Sequence, residues 1–223
     1  MGLDMYLDKV RKIEGMSLKE ILSTYENIEA KKNGYTYEEW CGGNPDHVCE
    51  DREDEVSKLE HISVPAWCGD DYREKYLATA RPNITENIAY WRKANQIHNW
   101  FVENVQDGND DCGVYEVTKD KLSELLDIAI EVRDASELIK GRIKNGESYS
   151  PETGWKINYQ EGKIIKDPST AKKLLPCTEG FFFGSTEYDE WYYDDIISTI
   201  NQLIKVLKET DFDNETIYYC SSW

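Results

Sequence analysis

One run of residues constrains this chain more than any other. Tyr193, Ile196, Ile197, Ile200, Leu203, Ile204 and Leu207 recur at spacings of three and four, the period of an amphipathic helix. A helix with such a face is stabilised mainly by laying it on another element, so the chain must build a core. Thr186 stands ahead of the run as an expected cap. Glu187, Asp189 and Glu190 follow in the first turn, where the helix dipole favours acid. Two further helices read the same way. Ser17 and Glu20 form a capping box before Leu18, Ile21, Leu22, Tyr25 and Ile28, with Gly34 as a left-handed stop. Thr118 caps a run carried by Leu122, Leu125, Leu126, Ala129 and Val132. A fourth helix is expected over about 84–105, with Asn83 as cap and Glu86 three residues on.

Strand signals are shorter. Leu3, Met5 and Leu7 alternate with Asp4, Tyr6 and Asp8, which predicts a half-buried strand. Gly180–Gly184 and Thr216–Cys220 read as strands, and Trp155–Tyr159 with Lys163–Lys166 as a hairpin turning at Glu161-Gly162. Residues 35–80 read as loops with short strands or helical turns. The expected fold class is α+β, with three or four main helices packed on a small, mainly antiparallel sheet and a hairpin excursion. No internal repeat is visible. A single domain over 1–223 is expected, with 9–80 and 141–168 as elaborations on its core.

Charge and cysteine usage narrow the function. Forty-four acidic residues against twenty-six basic ones give a net charge of −18, which repels phosphate backbones and argues against non-specific nucleic-acid binding. The excess serves solubility, or it forms an acidic face that docks on a basic partner surface. Self-association is left open. No apolar run approaches the roughly 20 residues that span a bilayer, and the first residues lack the pattern of a signal peptide. No membrane partner is expected, and the six cysteines are expected to be reduced. Cys41, His47, Cys49 and Cys68 are zinc-type ligands without the short Cys-x-x-Cys hooks that make zinc motifs specific. Unrelated loop thiols are the better reading, and neither metal nor cofactor is expected.

Two segments carry more polar chemistry than a core requires. In Tyr90–Val102, helical spacing puts positions 91, 94, 98, 101 and 102 on one face, with His98 inward and Asn95 a turn before it. An unpaired buried polar side chain costs roughly 1–3 kcal/mol, so something must satisfy this pair. In a plain core that is a backbone carbonyl or a Tyr hydroxyl; in a functional one the stripe floors a pocket. The second segment, Gly180–Asp195, leads into a helix start with the Ser185 and Thr186 hydroxyls beside it, and free N–H groups there favour anions. Its own acids oppose a phosphate, and the Gly-x-x-x-x-Gly-Lys phosphate loop is absent. Asp189 needs a partner, for which Arg92 or His98 would serve. The rings can stack on a base or simply fill a core. The candidate ligand-binding residues are therefore Trp91, Arg92, Asn95 and His98 from the first segment. Phe182, Ser185, Thr186, Tyr188, Asp189 and Tyr192 come from the second. They make a site only if the two segments meet around a shared hollow. No nucleophile elbow or Ser-His-Asp order is present, so no catalytic residue is assigned.

Met1–Leu7, Tyr90–Val102, Asp111-Cys112-Gly113 and Gly180–Asp195 together resemble the signatures of a widespread family of small phage- and prophage-encoded proteins. The resemblance covers the N-terminal strand, the 84–140 region and everything from Leu174 onward. These motifs carry no known catalytic role, so none is transferred. What the resemblance implies is a setting: a phage accessory protein in the cytoplasm of a bacterial host. In that setting the expected function is a non-catalytic counter-defence binder that sequesters a nucleotide-like signalling molecule or occludes a host defence protein. The alternatives are an enzyme acting on a nucleotide-like small molecule, with His98 as acid–base, or an acidic interaction protein with no ligand pocket.

Overall fold

A computed structural model describes every residue except Met1 and Phe181, so those two members of the motifs lie outside the described residues. In chain order the elements begin with β1 (Asp4–Arg11), α1 (Leu18–Lys32), α2 (Tyr37–Cys41), α3 (Glu53–Ser57), α4 (Arg73–Leu77) and β2 (Thr85–Arg92). They continue with α5 (Asn95–Asn104), β3 (Tyr115–Val117), α6 (Lys119–Ala135), β4 (Leu138–Ser150) and β5 (Gly154–Ile165). The last are α7 (Ser169–Leu174), α8 (Glu190–Glu209) and β6 (Glu215–Ser222). The fold is α+β, as expected: an antiparallel four-stranded sheet of order β2-β1-β6-β3, and a separate β4–β5 hairpin. Backbone bonds from Lys93 to Leu3 and from Lys12 to Asn214, both 2.8 Å, tie β1 to its two antiparallel neighbours.

By contact the chain divides into two compact units. One comprises Leu7–Tyr90 and Thr210–Tyr218; the other comprises Met1–Tyr6, Trp91–Glu209 and Tyr219–Trp223. In the first, Ser17 and Glu20 close the expected capping box on α1, and Gly34 follows its end at φ +81°. Ile21, Thr24, Ile28 and Ala30 are the buried face of that helix. The acidic segment behind it forms the short helices α2, α3 and α4 with 3-10 turns between them.

In the second unit, α6 and α8 pack together, and α8 also touches β5. Thr118 caps α6 as expected, and Leu122, Leu125, Ala129 and Val132 are fully buried. The buried line of α8 is Tyr192, Ile196, Thr199, Ile200, Leu203 and Val206, rotated from the expected stripe, so that Ile204 is exposed. Apolar residues lie on several sides of this helix, so spacing alone left the inward side ambiguous. The Thr199 hydroxyl fixes it: it accepts the Trp91 indole N–H at 2.9 Å and donates to the Asp195 carbonyl at 2.7 Å.

Three expectations need correction. The helix over 84–105 is a strand followed by a shorter helix. Thr85, Ile88, Tyr90 and Trp91 favour strands, pairing with β1 claims them, and Lys93 at φ +62° turns the chain into α5. Among the described residues of the expected Gly180–Gly184 strand, Gly180 and Phe182–Gly184 take turn and irregular backbone, and the Phe182 carbonyl accepts from the Leu3 N–H at 3.1 Å. The hairpin turns at residues 151–153 instead of at Glu161-Gly162, so Trp155 and Lys163 lie on one continuous strand.

Candidate functional site

The β2–α5 corner and the Phe-rich loop meet. Asn95, the first residue of α5, is completely buried and serves as the clasp. Its Nδ2 donates to the carbonyls of Phe183 (3.0 Å) and Ser185 (2.8 Å), and its Oδ1 accepts from Thr178 N–H (2.9 Å). Gly184 crosses directly against Lys93. At φ +94° it occupies backbone space open chiefly to glycine, and a Cβ there would stand 3.1 Å from the Lys93 carbonyl oxygen. Two chain segments with left-handed residues thus lie backbone to backbone.

Beside this junction a cleft of about 300 Å³ opens. Arg92, Lys93 and Gln96 line it from the corner; Gly184, Ser185, Glu187, Asp189, Trp191, Tyr192, Asp194 and Asp195 line it from the loop and the start of α8. The volume sits at the small end of the range for ligand pockets. Its charge is divided by element, bases from the corner and acids from α8 and its approach. Arg92 makes only a long contact with Asp4 (3.8 Å), and Lys93 has no ion pair among the described residues.

Asp189, not Thr186, caps α8. Its Oδ1 accepts from the N–H groups of Trp191 (2.9 Å) and Tyr192 (3.3 Å), which supplies the partner that sequence reasoning sought in Arg92 or His98. Its Oδ2 is buried and has no hydrogen-bond partner among the described residues, and the residue as a whole is only 2% exposed. Burial raises the Asp189 carboxyl above the ordinary range, against the pull of those two N–H groups. Burial likewise pushes Asp195 up to about 6, opposed by a 3.1 Å hydrogen bond from Gln96 Nε2 and helped by neighbouring Asp194.

Among the ten residues singled out from sequence, Arg92, Ser185, Asp189 and Tyr192 line the cleft. Tyr192 is anchored there, its hydroxyl donating to the Leu175 carbonyl at 2.9 Å. Trp91 and Asn95 are buried supports beneath it. Tyr188 stacks obliquely on Tyr192 (4.9 Å), and its hydroxyl accepts from Cys177 N–H. Phe182 and Thr186 are half-buried and lie outside the lining. His98 is in the core, its Nδ1 2.7 Å from the Tyr219 hydroxyl and its ring edge-on to Phe183 at 5.1 Å. Asp110 Oδ2 approaches Nε2 to 3.2 Å without hydrogen-bonding alignment. Sequence reasoning missed Gln96, Glu187, Trp191, Asp194 and Asp195. The acids read as an ordinary helix start, and only the left-handed turn at Lys93 brings Gln96 round to face them.

The six cysteines are free, and among the described residues no three His, Cys, Asp or Glu side chains stand together as a metal site. No helix among them is long and apolar enough to cross a membrane. No protein-family model, curated protein or solved structure matches the chain.

Proposed function

We propose that this chain is a non-catalytic binding protein whose cleft takes a small dipolar, nucleotide-like molecule with one anionic group and several hydrogen-bond donors. The reading rests on Asp189, a cleft-lining carboxylate whose buried Oδ2 has no hydrogen-bond partner among the described residues. Such an atom carries a desolvation penalty of roughly 1–3 kcal/mol, which a ligand N–H or O–H would relieve. Arg92 and Lys93 offer a place for a single phosphate, and Trp191, 55% exposed, offers a ring on which a base can stack. A triphosphate fits poorly, because four carboxylates line the same cleft. Neither histidine nor cysteine lines it, which favours sequestration over turnover. The resemblance to phage proteins supplies the biological setting: capture of a nucleotide-like signal in the bacterial cytoplasm as a counter-defence.

Calorimetric titration with nucleosides and nucleoside monophosphates tests this. Asp189→Asn keeps an oxygen for the α8 cap but replaces the waiting acceptor with an amide, so affinity should fall about tenfold or more with the fold intact. Arg92→Ala should weaken a monophosphate more than its nucleoside. Chromatography after denaturation should return the ligand unchanged. Absence of binding across the panel at millimolar concentration would sink the proposal.

A further inference from the structure

Two surfaces of this chain are built from exposed rings, and they carry opposite charge. The first is the β4–β5 hairpin. Directly opposed residues share a face, and the pairs Tyr149/Trp155, Lys144/Tyr159, Arg142/Glu161 and Lys140/Lys163 all fall on one side of the ribbon. The opposite side carries Gly162, Ile164 and the buried Ile143, and the hairpin root is stitched to the residues before α8 through Ile165 N–H to the Tyr188 carbonyl (3.0 Å). Beyond Lys144 no residue of the arm is buried; Trp155 is 71% exposed and Tyr149 62%. Over 138–165 there are five bases against three acids, in a chain of net charge −18. Beyond that root the arm is a two-stranded ribbon, which is marginal in water on its own. Lys140 and Lys163 face each other across the ladder, and neither has an ion pair among the described residues. Opposed like charges weaken a ladder. An acidic surface laid over the ribbon relieves that repulsion.

The second surface is the segment 35–78, which exposes Tyr35, Trp40, Ile62, Trp67, Tyr72 and Leu77 among twelve acids and four bases. It offers what the hairpin lacks: acid for lysines, and rings for rings. We propose that the basic aromatic face of the β4–β5 hairpin docks on the acidic aromatic 35–78 surface of a second copy of this chain. The charge complementarity of the two patches carries the choice of partner. The inference is independent of what the cleft binds.

Light scattering coupled to gel filtration tests it. At about 50 mM salt the mass should reach at least twice the 26.0 kDa of one chain, and it should fall toward one chain at about 0.5 M salt. Lys140→Glu with Lys163→Glu should abolish association. Asp70→Lys with Asp71→Lys should do the same, since each variant now opposes like charges. Mixing the two variants should restore it, because the reversed hairpin of one meets the reversed patch of the other. Should a double reversal disturb folding, Trp155→Ser, at a ring that is 71% exposed, should still weaken association about tenfold. A wild-type chain that is monomeric at submillimolar concentration and low salt overturns the proposal, as does association indifferent to all three changes. A monomer that binds labelled oligothymidylate, and loses it with Lys140→Glu/Lys163→Glu, also overturns it and makes the hairpin a single-stranded nucleic-acid site.

Discussion

His98 and Tyr219 share a 2.7 Å hydrogen bond between Nδ1 and the phenolic oxygen, in a core where neither side chain reaches solvent. Phe101 lies flat on Tyr219, with ring centroids 4.1 Å apart and an interplanar angle of 11°. Burial drives the Tyr219 hydroxyl well above its ordinary pKa, so it stays protonated at any working pH. The pair is therefore a structural polar contact inside an aromatic cluster.

Tyr219→Phe should keep the stacking and strand the imidazole nitrogen. The expected loss of stability is about 1–3 kcal/mol. Urea denaturation measures it. Ligand affinity at the cleft should not change, and a variant that loses binding while keeping its stability would reverse the assignment of His98 to the core.

Thr199→Val should behave similarly for a different reason. It preserves shape but removes the acceptor of the buried Trp91 indole N–H, at a cost of about 1–3 kcal/mol. Thr199→Ser retains the hydroxyl and should recover most of that loss, which thermal melts of the three proteins would show.

Gly184→Ala places a methyl 3.1 Å from the Lys93 carbonyl oxygen at a backbone angle that side chains avoid. A penalty of about 1–3 kcal/mol is expected, together with a displaced cleft wall. Denaturation midpoints and titration of the cleft should change together. A neutral substitution would mean that the two backbones are not in contact.

Asp195 and Asp8 both have carboxyls pushed up to about 6 by burial, from an ordinary 3.8. The folded chain thus holds these protons more tightly than the unfolded one. Their contribution to stability is complete below the ordinary carboxylate pKa and is lost as pH rises through about 6. Wild-type protein should be more stable near pH 5 than near pH 7.5. Asp195→Asn should be the more stable protein at the higher pH and lose part of the slope. A flat profile in wild type would contradict the burial of these acids.

Local chemistry was legible in the sequence wherever it was self-contained. The capping box at Ser17 and Glu20 and the cap at Thr118 involve residues a turn apart, and both stand as read. The stretch ahead of Asn95 was not legible in that way. Ile84, Ile88 and Trp91 suit a helix or a strand, and only pairing with a segment some eighty residues earlier decides between them. The candidate site was legible as two segments, and Asn95 does join them. Which side of the junction opens was hidden, because it depends on the backbone reversal at Lys93. His98 fell on the closed side, among Phe183, Phe101 and Tyr219.

One carboxylate belongs to two tasks. Asp189 lines the cleft, gives one oxygen to the opening turn of α8 and keeps the other buried, with no hydrogen-bond partner among the described residues. On the proposed function, a molecule that reached the second oxygen would also steady the charge that holds the helix start, and filling the cleft would then be felt along α8 through the turn carrying Trp191.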